Sequence, residues 1–266
     1  MDFDEFRGLL AEKGQQHWRD MPWRTDTRPY YVLVSELMLQ QTQVNRVIPK
    51  FEAFTSTFAT MAALANAPLA EVLGLWQGLG YNRRARFLHE AARMIEDRFA
   101  GTFPDTAAQL RELPGVGVNT AGALQAYAFN TPALFVETNI RTVYLHHFFA
   151  DQTDVDDRAI LDLLDKTLDR QNPRQFYWAL MDYGSWLKSN GVKNIGRSRH
   201  YVKQSPLKGS VREVRGRIIT LLTKQARTEL ELLDTLDADS RFEPALRGLQ
   251  KDGLIEEANG YWRLTQ

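Results

Sequence analysis

Two acidic side chains stand where carboxylates are unusual, and they define the chemistry open to this chain. Glu36 lies in Val34-Ser35-Glu36-Leu37-Met38-Leu39-Gln40-Gln41-Thr42, preceded by Tyr31, Val32 and Leu33. The apolar positions have the period and breadth of a helix buried on most of its surface. Burial disfavours the charged form of a carboxyl, and a carboxyl held protonated near neutral pH can serve as a general acid. The alternative is a Glu at a helix edge that pairs with an arginine. Glu137 ends the apolar run Phe135-Val136 and precedes Thr138-Asn139-Ile140-Arg141, which reads as a helix start. It is either an N-terminal charge favoured by the helix dipole or the second carboxylate of a catalytic pair. A protonated acid with a more solvated, ionised partner suits glycosidic bond cleavage through an oxocarbenium-like transition state.

The elements that must position these residues read as helices. Asp4 to Lys13 forms a short amphipathic helix through Phe6, Leu9 and Leu10; a loop with Pro22-Trp23-Arg24 follows, and Pro29 opens the helix of Glu36. Helical patterns recur at Val44 to Phe54, Pro68 to Leu75 and Arg83 to Phe99. Asp105 can cap a further helix, which Leu113-Pro114-Gly115-Val116-Gly117 stops before Thr120 to Ala128 resumes the period. A helix, a tight Gly-rich hairpin and a second helix present backbone N–H groups at a helix start, an arrangement that binds phosphate. In an all-α body it points to sequence-independent contact with a DNA backbone. No strand is expected before the last thirty or so residues. There, helices over Val211 to Leu222, Glu229 to Leu236 and Phe242 to Asp252 precede two short apolar runs around Asn259-Gly260, a hairpin signal. Three helices and a hairpin read as a winged helix, a module that binds DNA or docks proteins.

At 266 residues the chain suits one large domain or two to three small ones, and no apolar run approaches the length that spans a bilayer. The acidic start Met1-Asp2-Phe3-Asp4-Glu5 lacks a signal-peptide pattern, so a cytoplasmic, nucleoid-associated protein without a membrane partner is expected. With no cysteine there is no disulfide, no thiolate zinc site and no cysteine-ligated iron–sulfur cluster. Formal net charge is zero, yet from Lys188 to Arg227 eleven Lys and Arg residues face only Glu213, a run suited to a polyanion. His146-His147 point to different helix faces and read as packing or a phosphate contact. Asp151, Asp154, Asp156 and Asp157 read as a solvated interhelical loop.

Pro22-Trp23-Arg24, Ser35 to Val44, Trp76-Gln77-Gly78-Leu79-Gly80-Tyr81, Leu113 to Gly117 and Met181-Asp182-Tyr183-Gly184 together resemble MutY-type adenine DNA glycosylases of the helix-hairpin-helix superfamily. The resemblance covers roughly residues 20 to 190. It implies a mainly α, two-lobed glycosylase fold: one lobe from 1–28 and 136–205, a second from 29–135 with the helix-hairpin-helix, and the winged helix from 206–266. It also implies a monomer that binds double-stranded DNA across a cleft and flips a nucleotide out of the stack. Carried over, Glu36 protonates the departing base, at N7 if it is adenine, and Glu137 stabilises positive charge on the sugar. Gln41 and Tyr81 wedge beside the flipped nucleotide, and Thr42 is among the substrate-binding residues. Trp23, Arg24, Asn139 and Asp182 line or support the base pocket. Leu113, Gly115, Val116, Gly117 and Thr120 of the hairpin, with Arg197, Arg199 and Lys203, contact DNA, and the amides of Val116, Gly117 and Asn119 hold a phosphate. Asn119 stands where bifunctional relatives have a nucleophilic lysine; Asn forms no Schiff base, so a monofunctional enzyme is expected.

The sequence departs from this family in three places. The four cluster cysteines are absent, so no cofactor is expected and the basic run would take over the cluster's DNA contacts. The second carboxylate is Glu137 instead of Asp, which moves its charge by about an ångström. The usual C-terminal reader of the opposite base gives way to the winged helix. Removal of another modified or mismatched base, and a non-catalytic DNA-binding regulator, are the alternatives to adenine excision.

Overall fold

Asp2 starts the folded chain by a reciprocal cap: its side chain accepts from the N–H groups of Asp4 and Glu5, and Glu5 reaches back to the Asp2 N–H. The computed structural model describes residues 1–237 and 239–265. In chain order its helices are α1 (Phe3–Gln16), α2 (Pro22–Thr25), α3 (Pro29–Leu39), α4 (Val44–Thr57), α5 (Met61–Asn66), α6 (Leu69–Trp76), α7 (Arg83–Arg98), α8 (Ala107–Leu110) and α9 (Val118–Tyr127). They continue with α10 (Thr138–His147), α11 (Asp157–Thr167), α12 (Pro173–Ser189), a 3-10 turn at Ile195–Arg197, α13 (Val211–Leu222), α14 (Glu229–Leu236) and α15 (Phe242–Lys251). The strands among the described residues are β1 (Ile255–Ala258) and β2 (Tyr261–Leu264). The mainly helical body and the three-helix, two-strand C-terminal module match the sequence reading. Local details differ, and α11 and α12 had no helix assigned to them in the sequence reading. Pro22-Trp23-Arg24 forms a helical turn, α5 was not anticipated, and Thr106, whose hydroxyl accepts from the Gln109 N–H, caps α8 in place of Asp105.

The chain folds into two compact units. The first comprises Met1–Val32, Asp105–Glu112 and Val116–Lys203; the second comprises Leu33–Pro104, Leu113–Gly115 and the chain from Gln204 onward. In the first unit α12 packs against both α1 and α10. Phe6, Phe135, Tyr144 and Tyr177 are fully buried there, and each such side chain contributes about 1.5–3 kcal/mol. Gly184 of α12 lets α10 come close, since a Cβ there would lie 2.3 Å from the Asn139 carbonyl oxygen.

In the second unit Leu33, Val34, Leu37 and Met38 of α3 are buried with Phe51, Phe54 and Trp76. The C-terminal module in the same unit closes over Ile218, Leu246, Leu249 and Trp262. Its hairpin pairs Ile255 with Leu264 and Ala258 with Tyr261, and Asn259 (φ 54) and Gly260 (φ 80) supply the two left-handed residues that such a turn needs. Arg86 donates to the Asp252 carbonyl and Gln77 to the Thr223 hydroxyl, which fastens the module to α7 and to the end of α6.

Candidate functional site

Glu36 is half-buried on a helix whose adjoining residues Leu33, Val34, Ser35, Leu37 and Met38 are wholly buried. A helix end in such a setting needs partners for its last carbonyls, and Arg84 of α7 provides them. Its Nη1 donates to the carbonyls of Leu37 at 2.7 Å, Met38 at 2.8 Å and Gln40 at 2.5 Å. Its Nη2 donates to the Thr42 hydroxyl at 3.1 Å and the Gly80 carbonyl at 2.9 Å, and its Nε to the Tyr81 carbonyl at 3.4 Å. Arg84 is 6% exposed, and burial pulls its guanidinium down to about 10. This residue was missed in the sequence. The available signal was an arginine in register with the apolar face of α7, four residues before Leu88.

Arg84 thereby joins the end of the Glu36 helix to two strained turns. Gln41 (φ 60) and Tyr81 (φ 49) both adopt left-handed backbone, which costs an L-residue on the order of 1–2 kcal/mol. The Arg84 bonds to Gln40, Thr42, Gly80 and Tyr81 offset that strain. Gln41 is exposed and Tyr81 is 38% exposed, so the strain holds two side chains outward. Gly115 (φ 79) serves the same unit: a Cβ there would lie 2.9 Å from Phe87 and 3.3 Å from Leu37.

Three residues expected at a base pocket take a supporting place in the first unit. Arg24 and Asp182 form a buried bidentate pair at 2.6 and 3.0 Å, and Arg19 adds a bond to Asp182 at 2.6 Å. The Arg24 guanidinium is also flanked by the rings of Trp18 and Trp178 at 4.8 and 5.3 Å. Both charged groups are therefore spent on each other, and Trp23 is buried. Asn139 donates to the Met181 carbonyl at 3.1 Å, while its buried Oδ1 has no hydrogen-bond partner among the described residues. His147 packs as anticipated: its Nε2 lies 3.0 Å from the Tyr183 hydroxyl, and burial, helped by His146, pulls it down to about 4.

Glu137 occupies the N-cap position of α10 yet makes no capping bond. The residue is half-buried, and burial pushes its carboxyl above the usual range, with Arg141 opposing. The sequence reading expected the more solvated, ionised member of a pair here, whereas burial favours the protonated form. Arg141 is itself held by Asp157 at 2.6 and 2.5 Å, so it offers Glu137 only part of its charge. Asn119 donates to the Val136 carbonyl at 3.0 Å and so fixes the backbone just before Glu137.

The hairpin presents backbone, as its glycines suggest. Leu113 and Val116 have buried side chains, so contact through them would be by main chain. α9 begins at exposed Val118 and Asn119 with no side-chain cap; Thr120 in that turn is half-buried. Gly117 has an ordinary φ of -86 and nothing within 4 Å of a Cβ built on it, so no internal contact requires a glycine there.

Basic residues after α12 are less available than their number implies. Arg199 is bound to Asp154 at 2.7 Å and to Asp156 at 2.9 Å, which makes the acidic loop its counterion. Arg197 is half-buried and Lys203 exposed. The Asn194 side chain donates to the Thr142 carbonyl, and Val155 bridges to Ser198. This segment offers amide, hydroxyl and guanidinium groups and no thiolate, so it does not fit the family's iron–sulfur cluster. In the module, Arg247 pairs with Glu243, Arg241 with Asp239 and Arg263 with Glu256. No helix among the described residues is long and apolar enough to cross a membrane.

A family model for HhH-GPD superfamily base excision DNA repair protein matches residues 34–166. An adenine DNA glycosylase of Buchnera aphidicola subsp. Baizongia pistaciae is 37% identical over 66% of this chain and 51% of its own length. That of Mycolicibacterium smegmatis is 34% identical over 93% of this chain and 92% of its own. The chain thus spans about half the length of the first of these relatives and nearly all of the second. A solved thermostable thymine-DNA glycosylase shares the fold, with a TM-score of 0.62 at 24% identity over 69% of this chain and 86% of that one.

Proposed function

The chain belongs to the HhH-GPD superfamily of base excision DNA repair proteins, and from that premise we propose that it is a monofunctional DNA glycosylase whose leading substrate is a mispaired adenine. The observation that carries this reading is the Arg84 lock. One buried guanidinium ties the helix of Glu36 to the two strained turns that hold Gln41 and Tyr81 outward. Base extrusion and bond cleavage need such mechanical continuity between a side chain that enters the stack and an acid that meets the displaced base.

In the proposed reaction Glu36 donates its proton to the departing base, at N7 for adenine, as the C1′–N bond breaks and its electron pair leaves with the base. Glu137 faces the positive charge that grows on the sugar. A carboxylate in a desolvated setting stabilises such charge more strongly than one in water. Water then adds to C1′ and gives up a proton to the Glu36 carboxylate, which restores the acid. Asn119 positions Glu137, and Asn139 and the Arg24–Asp182 pair support the base pocket. The open Gly117 and the uncapped start of α9 suit a phosphate at close range. On this reading the enzyme works without a cluster. Adenine leads because the relatives of 37% and 34% identity are named adenine DNA glycosylases.

Asn119 carries no amine, so the product strand should stay intact until alkali is added, and borohydride should trap no covalent complex. A borohydride-stable adduct, or strand scission without alkali, would contradict the monofunctional reading.

A further inference from the structure

The C-terminal module meets the body of its own unit at Tyr81. Arg212, in the first turn of α13, donates to the Tyr81 hydroxyl, and its Cζ lies 5.3 Å from the ring centre. The other end of the same guanidinium donates to the Ser205 carbonyl at 2.7 Å, which fixes it from the segment before α13. Arg84 stands 5.5 Å from the same ring. Tyr81 is thus gripped at its hydroxyl by the module and at its backbone and ring by α7.

Beside it lies a cavity of about 630 Å³ between the Gln77–Tyr81 loop and α13, lined also by Gln41, Arg46 and Arg217. Its one lining acid, Glu213, is engaged by Arg241 at 3.4 Å and by the Gly209 N–H at 2.8 Å. Three arginines outnumber that acid, so the cavity favours an anion, and its volume lies in the range that holds one small ligand such as a nucleotide. Glu36 is not among its lining residues.

We propose that Arg212 is a positioning residue that holds Tyr81 in the pose from which the ring enters the duplex, at the edge of a cationic cavity that receives a nucleotide unstacked beside it. This rests on the glycosylase reading. It gives the appended module a part in DNA interrogation through α13. Lysine at 212 keeps one donor for the hydroxyl and loses the grip on Ser205.

The test uses the full chain and a duplex with a tetrahydrofuran abasic analogue flanked by 2-aminopurine, which needs no chemistry to be bound. Binding and 2-aminopurine emission would be read for wild type, Arg212→Ala, Arg212→Lys, Tyr81→Phe and the Ala/Phe double variant, with thermal melting as the check on folding. A lost hydrogen bond from a charged donor corresponds to roughly tenfold weaker binding. Arg212→Ala and Tyr81→Phe should each show that loss with a smaller emission rise, the double variant should be no worse than either, and Arg212→Lys should recover part of the signal. Wild-type binding and emission in Arg212→Ala, or losses that multiply in the double variant, would overturn the inference alone. A wild type that neither binds nor unstacks the duplex would overturn the glycosylase reading and this inference with it.

Discussion

At Glu137 two demands on one side chain pull apart. Burial raises its carboxyl in the folded protein, so as pH rises the unfolded chain releases this proton first. The folded state therefore loses stability as pH climbs from the ordinary glutamate range, about 4, to the raised value. Glu137→Gln removes that cost. The variant should melt above wild type at pH 8, with the difference vanishing near the ordinary glutamate pKa, while single-turnover excision falls by about two orders of magnitude or more. Excision by the wild type should also rise with pH as Glu137 ionises, and the variant should lack that limb. A variant that melts below wild type at pH 8 would show that the ionised carboxylate is stabilising where it sits. The sequence identified Glu137 but assigned it the wrong surroundings, because solvation of an N-cap residue depends on chain segments remote from it.

At the scale of elements, α3 was readable because its apolar positions leave almost no polar side. Its fastening was not, since Arg84 meets α3 through backbone carbonyls 46 and 47 positions away, and carbonyls carry no sequence signature. For the same reason Arg24 and Asp182 were picked out singly while their mutual pairing was hidden. Gly115 has a left-handed turn and crowding by Phe87 to account for it, whereas Gly117 has neither, and no internal contact explains it. Arg84→Lys keeps the charge and gives up the fork. With two buried carbonyls unsatisfied at about 1–3 kcal/mol each, denaturant unfolding should show a loss on the order of 2–6 kcal/mol. Excision should fall further than stability alone explains, because the turns of Gln41 and Tyr81 lose their anchor. Unchanged stability would mean that water or another side chain can replace the fork.

Across the whole molecule, charge count proved a weaker guide than charge pairing. The basic run after α12 was legible as composition, yet Arg199 is neutralised by Asp154 and Asp156, and Arg215 by Asp252. Acids outside the run, and so invisible to a local count, decide which cations remain for phosphate. The module was readable as three helices and a hairpin because its turn and caps are local signals; its grip on Tyr81 was not, because Arg212 and Tyr81 are 131 positions apart. In the proposed reaction Glu36 is the acid that releases the base. The direct measurement is single-turnover excision from end-labelled duplexes with adenine opposite guanine and opposite 8-oxoguanine, by wild type and Glu36→Gln, with binding measured in parallel. The account predicts alkali-revealed loss of adenine by wild type, none above background by Glu36→Gln, and similar DNA affinity for both. Undiminished excision by Glu36→Gln, or tight binding by wild type with no excision of any base in a wider panel, would contradict it.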